Sequence, residues 1–349
     1  MNDIAYENKS SALLEPENSQ RVALEHLEAL CGEFDTICQA VFHISDKNFL
    51  ARLEDELWVL TRRICAEIEL AQQNSVHAGE LEIFRRETFV PKVLRWYRKN
   101  TELNRIWIKP AGYSGDYHTI ELLCQNDASI EHFGDIFFHH VLRCDMASQH
   151  RNKVQAQAEF LLRVLEKGIG RSIRILNIGC GPCYDLRQAI RWLQHYCHGE
   201  IILADLDPNA LSFSELKLNK SDRDVVFNYV AGDVLEVIRR LSRGDGLGSF
   251  DAVLFGGLFD YIPDRIISLV LKKSRFLLAP GGEIMFSQVS RDNPDRVFMK
   301  WFGDWELIER DESQLRDLCL RAGFQETHIS MKREHTNCAI ICRLSSPAD

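Results

Sequence analysis

Residues 175–186 read ILNIGCGPCYDL. Two chemistries compete for this stretch. Cys180-Gly181-Pro182-Cys183 spells a Cys-x-x-Cys dithiol, whereas Asn177-Ile178-Gly179-Cys180-Gly181 is an apolar strand running into a glycine turn suited to cradling a nucleotide. Both readings put the segment where a strand gives way to a helix N-terminus. What flanks it decides between them.

Downstream, short apolar runs alternate with amphipathic helical patterns. Strands are expected over 173–178, 201–205, 225–230, 250–255 and 282–288, with helices near 185–197, 208–219, 233–242 and 263–277. Such alternation implies a parallel sheet with helices on both faces. The stretch 322–344 differs, reading as two strands around a polar turn, an antiparallel hairpin. Along the sheet's carboxyl edge, Gly179 and Gly181 permit a tight turn and close backbone approach. The second expected strand ends in Asp205, where a carboxylate can accept both hydroxyls of a ribose. The third is followed by Asp233, placed to accept from an adenine amino group. An aspartate after a strand is often only a helix cap. Three such signals in order, at successive strand ends, point to one crevice.

The dithiol reading has a mechanism, since a helix start near Tyr184 would lower a thiol pKa. Yet Gly179 precedes Cys180 where thioredoxins carry Trp, and the motif lies deep in a chain much larger than that domain. Cys180 and Cys183 followed by His195, Cys197 and His198 approach a zinc finger's spacing, but fingers place the cysteine pair on a hairpin, not between an apolar strand and a long helix. No metal is expected. A dinucleotide-binding oxidoreductase would show G-x-G-x-x-G, and here the third position after Gly181 is Tyr184.

Upstream the period is helical. Residues 1–20 are polar and unpatterned, a flexible tail. Val22, Leu27, Leu30, Phe34, Ile37 and Val41 are expected on one helix face, and Leu50, Leu53, Leu57, Leu60, Ile64 and Ile68 on a second. A third helix is expected over 80–99, with Pro91 a kink or restart. Residues 101–117, TELNRIWIKPAGYSGDY, break the pattern with Pro110, Gly112 and Gly115. Helices follow over 117–124, 130–143 and 147–167. The expected organisation is a tail (1–20), a helical cap or substrate domain (21–145) and an α/β nucleotide-binding domain (146–349).

The chain has 349 residues and a net charge of −9, which disfavours a nucleic-acid partner. No apolar run reaches the ~18 residues of a membrane span. The first residues lack the cationic start and apolar core of a signal peptide. Eleven cysteines, an odd number scattered along the chain, do not form a disulfide framework. Reduced thiols and a cytoplasmic location are expected.

Taken in order, ILNIGCGPC, LADLDPNAL, AGDVLEVI, FDAVLFGGLFDYI and LAPGGEIMFSQV resemble the motifs of class I methyltransferases that use S-adenosyl-L-methionine. GLFDYI, DWELIERDESQL and the upstream KPAGYSGDY resemble a narrower bacterial group, the extracellular-factor 3-hydroxypalmitic acid methyl ester biosynthesis proteins. The resemblance covers roughly residues 80–344 and weakens toward the N-terminal helices. It implies a Rossmann-like methyltransferase sheet with an antiparallel C-terminal hairpin, preceded by an all-helical cap. It also implies methyl transfer from S-adenosyl-L-methionine onto a small acid, giving a methyl ester. Asn177 stands where many such enzymes have an acid that orients water or the cofactor's methionine amino group. Cys183 stands where the glycine loop usually ends in Gly, which could make the site sensitive to thiol oxidation.

The candidate cofactor contacts are Asn177, Gly179, Gly181, Asp205, Asp207, Gly232, Asp233 and Gly256. Tyr113 and Tyr117 could close over the cofactor, their phenols hydrogen-bonding or facing a sulfonium. With Tyr261 and His140 they are the catalytic candidates. Asp116, Arg143, Arg151, Phe259 and Asp260 are the candidates for the acceptor, an Arg being able to hold a carboxylate bidentately. His139 and His150 lie in the same run, and Trp301 and Trp305 read as a packed lid or core plug. The helical unit is a candidate homodimer surface, and a small molecule is the expected partner. Amine, alcohol or thiol acceptors, and a cofactor-binding protein without catalysis, are the alternatives.

Overall fold

The computed structural model describes residues 16–347 apart from 74–75, 128, 169, 196, 219–224 and 245–246. The expected tail falls on residues 1–15, outside the described residues, and on 16–20, which are already helical. The chain forms two compact units, one from residues 1–100 with 130–137 and one from 101–129 with 138–349. The boundary expected at 145/146 differs from this division, because the helices between 101 and 129 pack with the sheet-bearing unit.

In the first unit, α1 (Pro16–Val41), α2 (Lys47–Gln73) and α3 (Ala78–Phe84) precede a π-helical stretch over Arg85–Leu94 and the short α4 (Arg95–Tyr97). All six apolar residues expected to line α2 are buried. On α1 the buried face is rotated slightly from expectation. Ala23, Leu27, Leu30, Cys31, Phe34 and Cys38 are inside, and Val22 is exposed. Cysteine packs as a small hydrophobe, which a stripe of large apolar residues overlooks. Pro91 lies inside a continuous helical run whose type changes around it. Lacking the N–H of an α-turn, it sits in a locally widened π-helix. Tyr97, hydrogen-bonded to Thr61 at 2.9 Å, stacks between Phe34 and Phe137.

The second unit begins with α5 (Thr101–Ile108), a helix where a broken pattern was expected. The proline and glycines end this helix rather than preclude it. Then come α6 (Tyr117–Gln125), α7 (Asp135–Arg143), which starts in the first unit, and α8 (Asp145–Lys167). The alternating part follows as β1 (Ser172–Ile178), α9 (Tyr184–Trp192), β2 (His198–Asp205), α10 (Pro208–Leu218), β3 (Val225–Ala231) and α11 (Val234–Arg243). It continues with β4 (Phe250–Phe255), α12 (Asp264–Arg275), β5 (Leu278–Val289), α13 (Arg296–Gly303), α14 (Glu312–Arg321), β6 (Ile329–Arg333) and β7 (Ala339–Ser345). The seven-stranded sheet has the order β3-β2-β1-β4-β5-β7-β6. β1 to β5 run parallel, and β7 lies antiparallel between β5 and β6, the hairpin expected from 322–344.

The near-continuous apolar strands follow from burial on both faces. Ile173, Ile175, Ile201 and Leu203 point to one side, with α8, α9 and α10. Leu176, Ile178, Ile202 and Ala204 point to the other, with α11, α12 and α14. The strand order reverses between β1 and β4. There α9 leaves on one face and α12 on the other, which opens a crevice at the carboxyl ends. GCGPC and FGGLFDY meet at that point.

Candidate functional site

The β1–α9 turn holds three left-handed residues in five, Gly179 (φ 65°), Gly181 (φ 51°) and Cys183 (φ 51°). Two are glycines, for which this conformation is free. Cys183 adopts it despite its Cβ, at an expected cost of ~1–2 kcal/mol. The turn is anchored to β2 and α10. Gly179 N donates to Ala204 O at 2.8 Å, Gly181 N donates to Asp205 Oδ2 at 2.8 Å, and Ser214 Oγ donates to Gly181 O at 2.8 Å. A side chain at Gly181 would point into open space. The backbone is thus bare where a ligand would approach.

Asp205 also accepts from Asp207 N through Oδ1 at 3.0 Å, and burial raises its pKa above the ordinary carboxylate value. Each oxygen has one protein donor and keeps lone pairs for a diol. Asp207 caps α10 through Oδ1, which accepts from Asn209 N at 2.9 Å, while its buried Oδ2 has no partner. Between these aspartates Leu206 is 69% exposed. Gly232 N donates to Asp205 O at 3.0 Å, so the β3 turn is fastened to the same strand end. Asp233 caps α11 with Oδ1. The other oxygen, Oδ2, takes no part in the cap. Gly256 follows β4, its ideal Cβ position 3.5 Å from Gly179 O, and its carbonyl accepts from Gln157 Nε2 at 2.8 Å and from Ser287 Oγ.

Asn177, 1% exposed on central β1, makes no hydrogen bond of good geometry through either amide atom, although its amide lies close enough to the Asp185 carboxyl to favour the ionised form. Beside it, at the start of α9, lies the buried Asp185. Burial pushes that carboxyl up to about 6, opposed by the amides of Leu186 and Asp185, by Arg187 and, more weakly, by Asn177. Buried amides without a well-made hydrogen bond are rare in folded proteins. The unmet groups at Asn177 and Asp207, together with the bare turn, fit a nucleoside cofactor carrying amino and hydroxyl groups. The acid missing at position 177 is present eight residues later in sequence and adjacent in space.

The dithiol is not set up for redox chemistry. Cys180 is raised well above an ordinary thiol, first by its hydrogen bond with Cys183 and then by burial. The lowering expected at a helix start is reversed, because both sulfurs are buried against the sheet.

Residues 109–116 bring the aromatic candidates to the same edge. Lys109 Nζ donates to Asp304 O (2.5 Å) and Oδ2 (2.6 Å), and Ser114 Oγ donates to Asp304 O at 3.4 Å. Gly115 (φ 73°) lies under Trp305 and Tyr261. A Cβ there would be 2.6 Å from the indole and 2.7 Å from the phenol oxygen. Trp305 Nε1 donates to Tyr261 Oη at 3.0 Å. Tyr113 has Asp205, Asp207 and Asp116 as electrostatic neighbours, and Tyr261 has Asp260 and Tyr113. Both residues are partly exposed, Tyr113 38% and Tyr261 42%, and partial desolvation first and these carboxylates next push the phenols above their ordinary value. Tyr117 packs on Phe213 of α10, ring centroids 5.3 Å apart. The three tyrosines thus run from the β2 end to the β4 end. Of the two tryptophans, Trp301 is core and Trp305 is the partner of Tyr261.

Other candidates serve the frame. Asp116 forms a two-pronged pair with Arg105 (2.9 and 2.5 Å) and caps α6 through Thr119 N. Burial alone would raise its pKa, but Arg105 and Thr119 hold it below the ordinary value. Phe259 is wholly buried between Phe255 and Phe286, centroids 4.9 Å from each, in the core rather than on an acceptor wall. Arg151 is committed to the carbonyls of Leu142 and Leu123 and to Ser148 Oγ. His140 is fully buried in α7, and Arg143 is exposed at its end. Asp260 Oδ1 accepts from Gln288 Nε2 (2.9 Å) and Val289 N (2.7 Å).

Two residues near the β4 edge escaped the sequence reading. Arg310, 1% exposed, bonds Phe259 O, Ile262 O, Gln288 Oε1 and Asp264 Oδ1, fixing the turn that carries Asp260 and Tyr261. Lys153 of α8 lies beside Gly257 and Asp260. A buried cation inside a helical stripe carries no local signal. Only its tertiary neighbours reveal it.

Comparison with known proteins agrees with this geometry. Residues 176–286 match the family profile described as "Methyltransferase domain". The search of curated proteins gives no match. Among solved structures the chain is similar to one described as a possible exported protein from Bordetella parapertussis, with 14% identity, a TM-score of 0.55, and 98% of this chain and 100% of that one covered. It aligns less well with the carbon methyltransferase CurJ (14% identity, 96% and 95% coverage, TM-score 0.49) and with the S-adenosylmethionine-dependent methyltransferase SibL (13% identity, 95% and 98% coverage, TM-score 0.45). The fold is the Rossmann-like sheet of a class I methyltransferase. S-adenosyl-L-methionine is the cofactor of a methyltransferase domain of this class.

Two measurements test the geometry. Folded Asp185 binds its proton more tightly than the unfolded chain, whose carboxyl titrates near 3.8. Its contribution therefore lowers stability as pH rises from about 4 to about 6, by ~3 kcal/mol. Asp185→Asn should exceed wild type in urea-unfolding free energy by ~2–3 kcal/mol at pH 8, with the gap closing toward pH 4. A gap independent of pH would contradict the assignment. Gly115→Ala combines a disfavoured φ with the Trp305 and Tyr261 contacts. It should lower the urea-unfolding free energy by ~1–3 kcal/mol, and a stability within a few tenths of wild type would contradict the packing described.

Proposed function

We propose that the chain transfers a methyl group from S-adenosyl-L-methionine to the carboxylate of a small or lipid-like acid, forming a methyl ester. When bound, the cofactor supplies a methyl carbon activated by a sulfonium leaving group, so an ionised acceptor requires alignment and exclusion of water rather than proton removal. Asn177 and the Gly179–Cys183 turn would hold the amino-acid arm, Asp205 the ribose and Asp233 the base, with Leu206 offering an apolar face. The tyrosines would close the acceptor side.

What supports the choice of acceptor is how the acidic and phenolic groups of that side are held. Tyr261 Oη already accepts from Trp305 Nε1. The Asp116 carboxylate is engaged by Arg105 and Thr119, and Asp260 Oδ1 by Gln288 and Val289. An amine or alcohol acceptor would need a general base, for which Asp207 Oδ2, Asp260 Oδ2 and His150 Nε2 are the groups at this edge without hydrogen-bond partners among the described residues; a carboxylate acceptor needs none. The resemblance to the 3-hydroxypalmitic acid methyl ester group supports the same reading, with a 3-hydroxy fatty acid as the leading acceptor.

The linkage formed distinguishes the acceptors. With methyl-labelled cofactor and a panel of carboxylic acids that includes 3-hydroxy fatty acids, the label should appear in a product that mild alkali converts to volatile methanol. Label in an alkali-stable product, or no transfer to any acid, would contradict the proposal.

A further inference from the structure

Lys153 lies in the middle of α8, is 7% exposed, and has one ionic neighbour among the described residues, Asp260 Oδ2 at 4.0 Å. That distance is beyond hydrogen-bonding reach. The carboxylate it faces is already drawn on, since Asp260 Oδ1 accepts from Gln288 and Val289 and the charge of Arg310 lies nearby. An ammonium buried without hydrogen bonds is costly, and such groups are kept where something else completes them.

Its surroundings are arranged for approach. The ideal Cβ position of Gly257 is 3.0 Å from Lys153 Nζ, so any larger residue two positions beyond β4 would crowd the ammonium. Residues 150, 153 and 157 share one face of α8. Gln157 Nε2 holds Gly256 O at 2.8 Å, which fixes that face against the β4 turn. One turn before Lys153, His150 is 8% exposed, and its Nε2 has no partner. Burial first, then Lys153 and Arg151, lower its pKa well below the ordinary imidazole value. His150 is therefore neutral, with one ring nitrogen able to donate and the other to accept. A cation and a neutral imidazole, both more than nine-tenths buried and both short of partners, stand together at the carboxyl edge.

From these residues we infer that Lys153, with His150 behind it, forms a carboxylate-binding subsite at the end of β4. The inference rests on the methyltransferase reading and adds the group that recognises an acid. Two carboxylates reach such a site, that of the acceptor and that of the cofactor's methionine arm. Lys153 acts as a positioning residue for whichever binds.

Titration calorimetry on wild type, Lys153→Met and Gly257→Ala separates the sources. The probes are S-adenosylhomocysteine, 5′-methylthioadenosine, which lacks the amino-acid arm, and 3-hydroxydecanoate added to protein saturated with S-adenosylhomocysteine. Loss of at least about tenfold for S-adenosylhomocysteine with 5′-methylthioadenosine unchanged assigns the subsite to the cofactor. A similar loss confined to 3-hydroxydecanoate assigns it to the acceptor. Gly257→Ala retains the charge but displaces the ammonium, so it should weaken the same probe, and it decides the matter if Lys153→Met does not fold. Affinities for all three probes within about twofold of wild type, or equal losses for both nucleosides, overturn the inference. Wild type that binds neither nucleoside overturns the methyltransferase reading instead.

Discussion

The hydrogen bond from the Gly181 amide to the Asp205 carboxylate, 2.8 Å long, ties the first turn of the sheet to the end of its second strand. The same carboxylate accepts from Asp207 N, and the carbonyl of Asp205 accepts from Gly232 N. One residue thereby sets three turns in register at the switch point. The turn itself is held in left-handed conformations that leave its backbone bare, and one of those positions is occupied by a cysteine at some cost in strain.

The edge beyond β4 is built on a different principle. Residues 109–116 come from outside the alternating sheet sequence and are fastened by Lys109 to Asp304 and by Gly115 beneath Trp305 and Tyr261. Arg310 stiffens the neighbouring turn from within. The edge thus gathers tyrosines, partly engaged carboxylates, a buried imidazole and one weakly partnered ammonium.

Much of this was legible in the sequence because the parallel sheet writes itself as buried apolar runs with glycine or aspartate at their ends. The strand positions, the hairpin and the glycine turn follow from period and turn chemistry alone. Local pattern did less well where tertiary neighbours decide. Helix 101–108 was hidden by the proline and glycines just beyond it, and Pro91 was absorbed by a π-helix. Phe259 looked like a pocket wall but lies in the core, whereas Lys153 and Arg310 looked like ordinary helix or loop charges and are buried. The Cys180 and Cys183 thiols spell a redox motif, yet burial and their mutual hydrogen bond keep Cys180 protonated. Asn177 showed a missing acid, and only the fold shows Asp185 beside it.

The account stands on Asp205 holding a nucleoside at the β1–β4 crevice. Titration of wild type and Asp205→Ala with S-adenosyl-L-methionine and with NAD tests it most directly. Wild type should bind S-adenosyl-L-methionine and not NAD, and the substitution should weaken that binding at least about tenfold. Unchanged affinity in Asp205→Ala, or a wild type that takes up NAD instead, would contradict it.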